Sequence, residues 1–163
     1  MHSRASTLIT QLDLRPHPEG GYYRELFRSP GSVVPDDGRG VRSALTTIYF
    51  LLADGGWSRW HRVASDEVWH LYEGGPLELL QLAPDGRDLT RHRLAPIGDP
   101  AGGAPVYTVP AGCWQAARPI GAYALVGCTV GPGFDFADFR LLADDPACAA
   151  AARETGPEAA ALL

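Results

Sequence analysis

From about residue 42 to residue 130 the chain alternates short apolar-rich runs with clusters of Gly, Pro and Asp, and few folds accept that punctuation. Runs at about 42–53, 57–63, 67–73, 77–83, 89–94, 105–109, 113–118 and 122–130 each have strand length. They recur at the short, regular spacing of an antiparallel sandwich or barrel. The clearest hairpin is LELLQL, then APDG, then RDLTRHRL. No repeat or linker divides the chain, and 163 residues suffice for one domain with a real core. A single all-β domain over 1–163 is therefore expected, with its core at about 5–142 and an Ala-rich helix or tail at 143–163.

The flanks read differently. Residues 5–14 place apolar side chains near helical spacing and stop before Pro16, which predicts a short N-terminal helix. Gly20-Gly21 turn the chain into an extended segment, and 31–41 form a polar loop. Residues 134–142 and 146–152 turn helical, and the tail from Thr155 is expected to fray. Gly131-Pro132-Gly133, followed by Phe134, Phe136 and Phe139, reads as a turn into an amphipathic helix that seals the barrel, a structural role.

Charge and cysteine content narrow the function. The net charge is -5 and every basic residue is an arginine, without basic runs. Nucleic acid is an unsuitable partner for such a surface, because phosphate neutralisation supplies most of that binding energy. No apolar run reaches the roughly 18–20 residues of a membrane span, and residues 1–30 show no signal-peptide core. Cys113, Cys128 and Cys148 are odd in number and lack Cys-x-x-Cys spacing, as expected of reduced thiols in a cytoplasmic protein.

Chemistry concentrates in GGWSRWHRVASDEVWHLYEG, residues 55–74. Gly55, five residues, His61, one residue, Val63, three residues, Glu67, six residues and Gly74 resemble the first signature of the cupin superfamily, with valine in the place of its second histidine. Pro110, Gly112 and Gln115 fill the second signature, with glutamine replacing its histidine. The runs HPEGGYYRE (17–25), HRVASDEVWHLYEGGPLELL (61–80), VPAGCWQAA (109–117) and VGCTVGPGFDFADF (126–139) together resemble the small cupins grouped as cupin-5, or DUF985. That resemblance implies a cupin jelly-roll β-barrel (double-stranded β-helix) with short terminal helices, a small-molecule pocket and a homodimer.

Within that frame, His61, Glu67 and Gln115 form a reduced ligand set for a weakly held divalent metal (Fe, Mn, Ni or Zn). Without any cofactor, His61 and Glu67 form a proton-transfer pair in which Glu67 orients His61. Trp69 shares the parity of Glu67 and offers either a flat wall for substrate or plain core. Cys113 shares a face with Gln115. Arg59 alternates inward with His61 as an anion contact, or else sits paired at the rim. Tyr22 and Tyr23 suit a lid or a dimer contact. Three functions follow: a proton-transfer enzyme of epimerase, isomerase or lyase type acting on a sugar derivative or carboxylic acid; a metal-dependent dioxygenase or isomerase; or a non-catalytic binding or storage protein.

Overall fold

The computed structural model describes residues 2–163. Helix α1 (Ser3–Gln11) precedes thirteen strands: β1 (Arg15–Pro16), β2 (Tyr22–Arg28), β3 (Ser32–Val33), β4 (Arg42–Ser43), β5 (Thr46–Ala53), β6 (Ser58–Arg62), β7 (Asp66–Gly74), β8 (Leu77–Leu82), β9 (Thr90–Leu94), β10 (Val106–Val109), β11 (Trp114–Pro119), β12 (Tyr123–Gly131) and β13 (Arg140–Leu141). Helices α2 (Pro146–Thr155) and α3 (Pro157–Ala161) close the chain. Two antiparallel sheets carry the jelly roll, one ordered β1-β2-β5-β12-β7-β10 and the other β13-β6-β11-β8-β9. From β5 to β8 successive strands alternate between the sheets, which is why the connections are short and why the Gly, Pro and Asp clusters recur so regularly.

Several strands are buried on both faces, so their sequences read as continuous apolar runs rather than strict alternation. Phe50 and Leu52 enter the core between the sheets with Trp69, Leu79 and Val126, while Leu51 faces outward beneath α1. On the other sheet Leu80 and Leu82 face outward and pack with Trp60 and Trp114 under α2 and α3. This outer layer corrects the expectation of a frayed tail. Asp145 caps α2 by accepting the Cys148 N–H, Pro146 suits its first turn, and α3 follows after Gly156. Ala159 and Leu162 are buried, and the Trp60 indole donates to the Ala159 carbonyl at 2.8 Å. An Ala-rich helix that covers two tryptophans has a docking partner that composition alone does not reveal.

The stretch expected to be helical at 134–142 is instead a 3-10 turn (Phe136–Asp138), the two-residue strand β13, and a second 3-10 turn (Leu142–Asp144). Its anchors are side chains brought from elsewhere in the chain. Arg42 grips the Asp138 carboxylate through Nε at 2.7 Å and Nη2 at 2.6 Å, and Arg39 adds a contact at 3.2 Å. The 31–41 loop is thereby tied to the segment after β12.

Helix α1 is fixed to the large sheet by Ala5 and Leu8 and by a polar tether at its first turn. Arg4 donates to both Glu73 oxygens at 2.7 and 2.8 Å, and the Tyr123 hydroxyl donates to Glu73 at 2.9 Å. The Arg4 hydrogen bond, then that of Tyr123, holds the Glu73 carboxyl down at about 2. A carboxyl depressed on folding contributes stability that is present above its unfolded value and is lost as pH falls toward the folded one. The stability difference between wild type and Arg4→Ala, measured by denaturant titration, should therefore be small and constant above pH 5 and vanish as pH approaches 2. Both partners are partly exposed, so the effect belongs to the range of surface ion pairs.

Candidate functional site

The site forms where β6, β7, β11 and the segment before β2 meet between the sheets. A bulge in β6 does the positioning. His61 pairs with Gln115 and Ser58 with Ala117, so Arg59 and Trp60 together oppose the single residue Ala116. The extra residue puts both Ser58 and His61 on the inner face, sends Trp60 outward beneath the terminal helices, and leaves Arg59 exposed. The expectation that Arg59 points inward by alternation is corrected by this bulge. Arg59 instead acts on the backbone: its N–H donates to the Glu19 carbonyl at 2.8 Å and its guanidinium to the Pro18 carbonyl at 2.5 Å.

Those bonds deliver a residue that motif spacing does not reveal. Glu19 is 6% exposed, accepts the Ser58 hydroxyl at 2.9 Å on Oε1, and brings Oε2 within 3.2 Å of His61 Nε2. The tight turn that presents it carries two hydrogen bonds, from Gly20 N–H to the His17 carbonyl and from His17 N–H to the Gly21 carbonyl. His17 stands beside it, Nδ1 at 3.4 Å from Glu19 Oε2, with its ring edge-on to Tyr23.

The orientation of His61 follows from its neighbours. Nδ1 lies 2.8 Å from the Arg59 carbonyl, an obligate acceptor, so Nδ1 carries the proton and Nε2 the lone pair. Gln115 Nε2 approaches that lone pair at 3.0 Å and also donates to Glu67 Oε2 at 2.5 Å. The amide cannot be reversed, because the indole of Trp69, which can only donate, occupies Gln115 Oε1 at 2.9 Å. The link between His61 and Glu67 therefore runs through the Gln115 amide, and the carboxyl group that meets His61 directly belongs to Glu19. The Cys128 side chain lies beside the Glu67 carboxyl in the cavity lining.

Burial sets the electrostatics. It pushes the carboxyls of Glu19 and Glu67 up, with the His17 charge and the Ser58 hydrogen bond opposing at Glu19, and the His61 charge opposing at Glu67. It pushes His61 down against the Glu67 charge, keeping the imidazole neutral. A neutral Nε2 lone pair at 3.2 Å repels a carboxylate, so this contact and burial both favour the protonated form of Glu19, whose O–H would share the one Nε2 lone pair with the Gln115 N–H. Cys128, buried beside Glu67, is pushed well up and is held as a thiol.

A cavity of about 480 Å³ opens above this cluster. Glu19, His61 and Glu67 lie at its buried end, Ile48, Val63 and Val130 wall it, and Tyr23, Arg28 and Phe136 stand toward the mouth. Arg28 is held by both Glu25 oxygens and the Phe134 carbonyl. The phenylalanines after Gly133 thus do more than seal the barrel: Phe134 and Phe136 line the cavity, and Phe139 stacks on His61 with ring centres 5.6 Å apart. Of the other residues expected there, Tyr23 lines the cavity. Tyr22 packs on the opposite face with the α1 cluster. Trp69 is fully buried in the core behind Gln115, and Cys113 packs against that core, outside the cavity lining.

Comparison with known proteins fits this arrangement. The family model described as "Cupin superfamily (DUF985)" matches residues 6–142. The chain belongs to that family. This cupin is 36% identical to a hypothetical protein from Leishmania major, covering 83% of this chain and 85% of that one with a TM-score of 0.74. It is 35% identical to a protein from Shewanella oneidensis, covering 93% and 92% with a TM-score of 0.80. The fold alone is shared with oxalate decarboxylase of Bacillus subtilis, a protein with Mn(II) centres, at 15% identity and a TM-score of 0.55 over 80% of this chain and 31% of that one. No curated protein matches the sequence.

The Mn(II) of that neighbour raises the question whether this cupin's residues suit a metal, and the donor set does not. Val63 offers nothing to coordinate, and Gln115 turns its NH2 group, not its oxygen, toward His61 and Glu67. Among the described residues no group of three or more His, Cys, Asp or Glu is arranged to hold an ion. The expectation of Gln115 as an amide-oxygen ligand is corrected by the Trp69 hydrogen bond.

Proposed function

We propose that this cupin is an enzyme that moves a proton on a small polar metabolite, with Glu67 as general base and Glu19 as general acid on either side of a neutral His61. The observation that carries the reading is the pair of buried glutamates in unlike surroundings at the closed end of one cavity. Burial raises both carboxyls, but Glu19 faces the His61 lone pair, which favours its acid form, whereas Glu67 receives the Gln115 N–H, which favours its carboxylate. Two carboxyl groups whose hydrogen-bond partners favour opposite proton states suit acid and base chemistry near neutral pH. Abstraction at one face and delivery at another gives an epimerase, isomerase or lyase-type reaction. The cavity lining holds Glu19, Glu25, Glu67 and Asp135 against Arg28 alone, and Arg28 is already paired with Glu25. That charge balance favours a neutral, hydroxyl-rich substrate such as a sugar derivative over a carboxylic acid.

The test is solvent exchange. Incubated in D2O with a panel of sugar derivatives and hydroxy acids, the wild-type protein should incorporate one deuterium into at least one neutral sugar derivative, read by mass spectrometry. Glu67→Gln should lower that rate by about 10²–10⁴. Exchange that survives Glu67→Gln, or none with the wild type across the panel, would sink the proposal.

A further inference from the structure

The Trp69–Gln115 pair sits behind the cavity, and its hydrogen bonds have a chemical consequence beyond holding β7 and β11 together. A divalent ion in a His and Glu site draws an imidazole lone pair and a carboxylate oxygen onto one positive centre. In this cupin the two N–H groups of one amide make those two contacts, to His61 Nε2 at 3.0 Å and Glu67 Oε2 at 2.5 Å. The amide can do so only while its oxygen is taken up elsewhere, and Trp69 takes it up at 2.9 Å. Trp69 is wholly buried and Gln115 is 1% exposed, so neither group can turn to water instead. Rotating the amide would leave the indole N–H facing NH2 and the Gln115 oxygen facing both the His61 lone pair and a carboxylate, three buried repulsive contacts in place of three hydrogen bonds.

We propose that Gln115, locked by Trp69, is a positioning residue that takes the place of a metal ion: its amide joins His61 to Glu67, fixes His61 as the Nδ1–H tautomer, and keeps divalent cations from the pocket. The lock accounts for both departures from the superfamily's histidine pattern together. A second histidine at position 63 has no function where no ion is held, and a neutral histidine at 115, with one N–H, could not donate to two acceptors as the amide does. The inference is independent of the proton-transfer reading, because its readouts require no substrate.

Two measurements test it. Long-range 15N–1H correlation spectra of the uniformly labelled wild type should show one imidazole, assigned by its loss in His61→Ala, with a proton on Nδ1 and an unprotonated Nε2 from pH 6 to 8. An Nε2–H tautomer would overturn the proposal. The second measurement is Mn(II) and Zn(II) titration of chelator-treated, untagged protein by calorimetry and thermal shift. Gln115→Glu keeps the Trp69 acceptor and turns a second oxygen toward His61 and Glu67, so it should bind at least tenfold more tightly than wild type, the lower end of the roughly 10–100-fold weight of such supporting groups. It should also melt lower than wild type without metal and recover when metal is added. Stoichiometric metal on the wild type with affinity equal to that of Gln115→Glu, or no metal response by the variant, would refute the proposed exclusion. Should the variant resist purification without metal, recovery of folded protein only on adding Mn(II) or Zn(II) is the supporting result, and failure in both conditions leaves the tautomer measurement to decide alone.

Discussion

Glu19→Gln should make the protein more stable above neutral pH and nearly inactive. Burial holds the Glu19 carboxyl above its ordinary value of 4.5 in the folded state. A group raised on folding contributes stability that is fully present below its unfolded value and is lost as pH rises through the folded one. Glutamine copies the protonated acid and never ionises, so the substitution removes that loss. Its oxygen can accept the Ser58 hydroxyl, as Glu19 Oε1 does at 2.9 Å, and its NH2 can donate to His61 Nε2 from the position of Oε2. The gain should be on the order of 0.5–2 kcal/mol at pH 8, typical of relieving a functional strain, and should disappear below about pH 4.5. Turnover should fall by about 10²–10⁴, the usual contribution of a general acid. Urea titrations at pH 4, 6 and 8 beside a single-pH activity assay separate the two effects. A variant that is less stable than wild type at pH 8 would show that Glu19 is an ionised structural partner of His61 rather than a held acid.

The contrast between His61 and Glu19 shows what sequence reasoning can reach here. His61, Glu67 and Gln115 lie on strands whose spacing carries their meaning, and the structure brings all three together, His61 and Glu67 at the buried end of the cavity and Gln115 behind them. Glu19 comes from a turn outside any strand and is placed by hydrogen bonds to Ser58 and Arg59, about forty residues away, so period-two reasoning has no purchase on it. The available signal was the pairing of a carboxylate with Gly20-Gly21, a turn too tight for ordinary residues. Arg59 was misplaced because alternation holds only in an unbroken strand, and a one-residue bulge reverses parity. The segment from 134 to 142 carries helix-like spacing, yet its geometry is dictated by the Arg39 and Arg42 grip on Asp138, which no local pattern encodes. Local periodicity thus located the sheets and the His61, Glu67 and Gln115 part of the buried polar cluster, while long-range docking supplied Glu19.

Gly20→Ala should show how much the site depends on that docking. Gly20 has φ +111, a conformation that an L-residue rarely adopts, and a Cβ there would lie 2.3 Å from the Trp57 carbonyl oxygen. Backbone strain of this kind costs roughly 1–3 kcal/mol. The overlap is with backbone, which cannot rotate away as a side chain could, so the turn has to lift from the start of β6. Lifting it breaks the Arg59 N–H bond to the Glu19 carbonyl and withdraws the carboxyl from His61. We expect the melting temperature to fall by on the order of 5–10 °C and turnover by about 10²-fold or more, since displacement of a catalytic group by about 1 Å has that effect. Gly98→Ala supplies the comparison. Gly98 also has positive φ, at +84, but a Cβ there meets nothing within 4 Å and the residue is not part of the cavity lining. Gly98→Ala should therefore lose some stability through strain while keeping wild-type turnover. Equal turnover in the two variants would mean that Glu19 is not held in place by this turn and would remove the acid from the proposed pair.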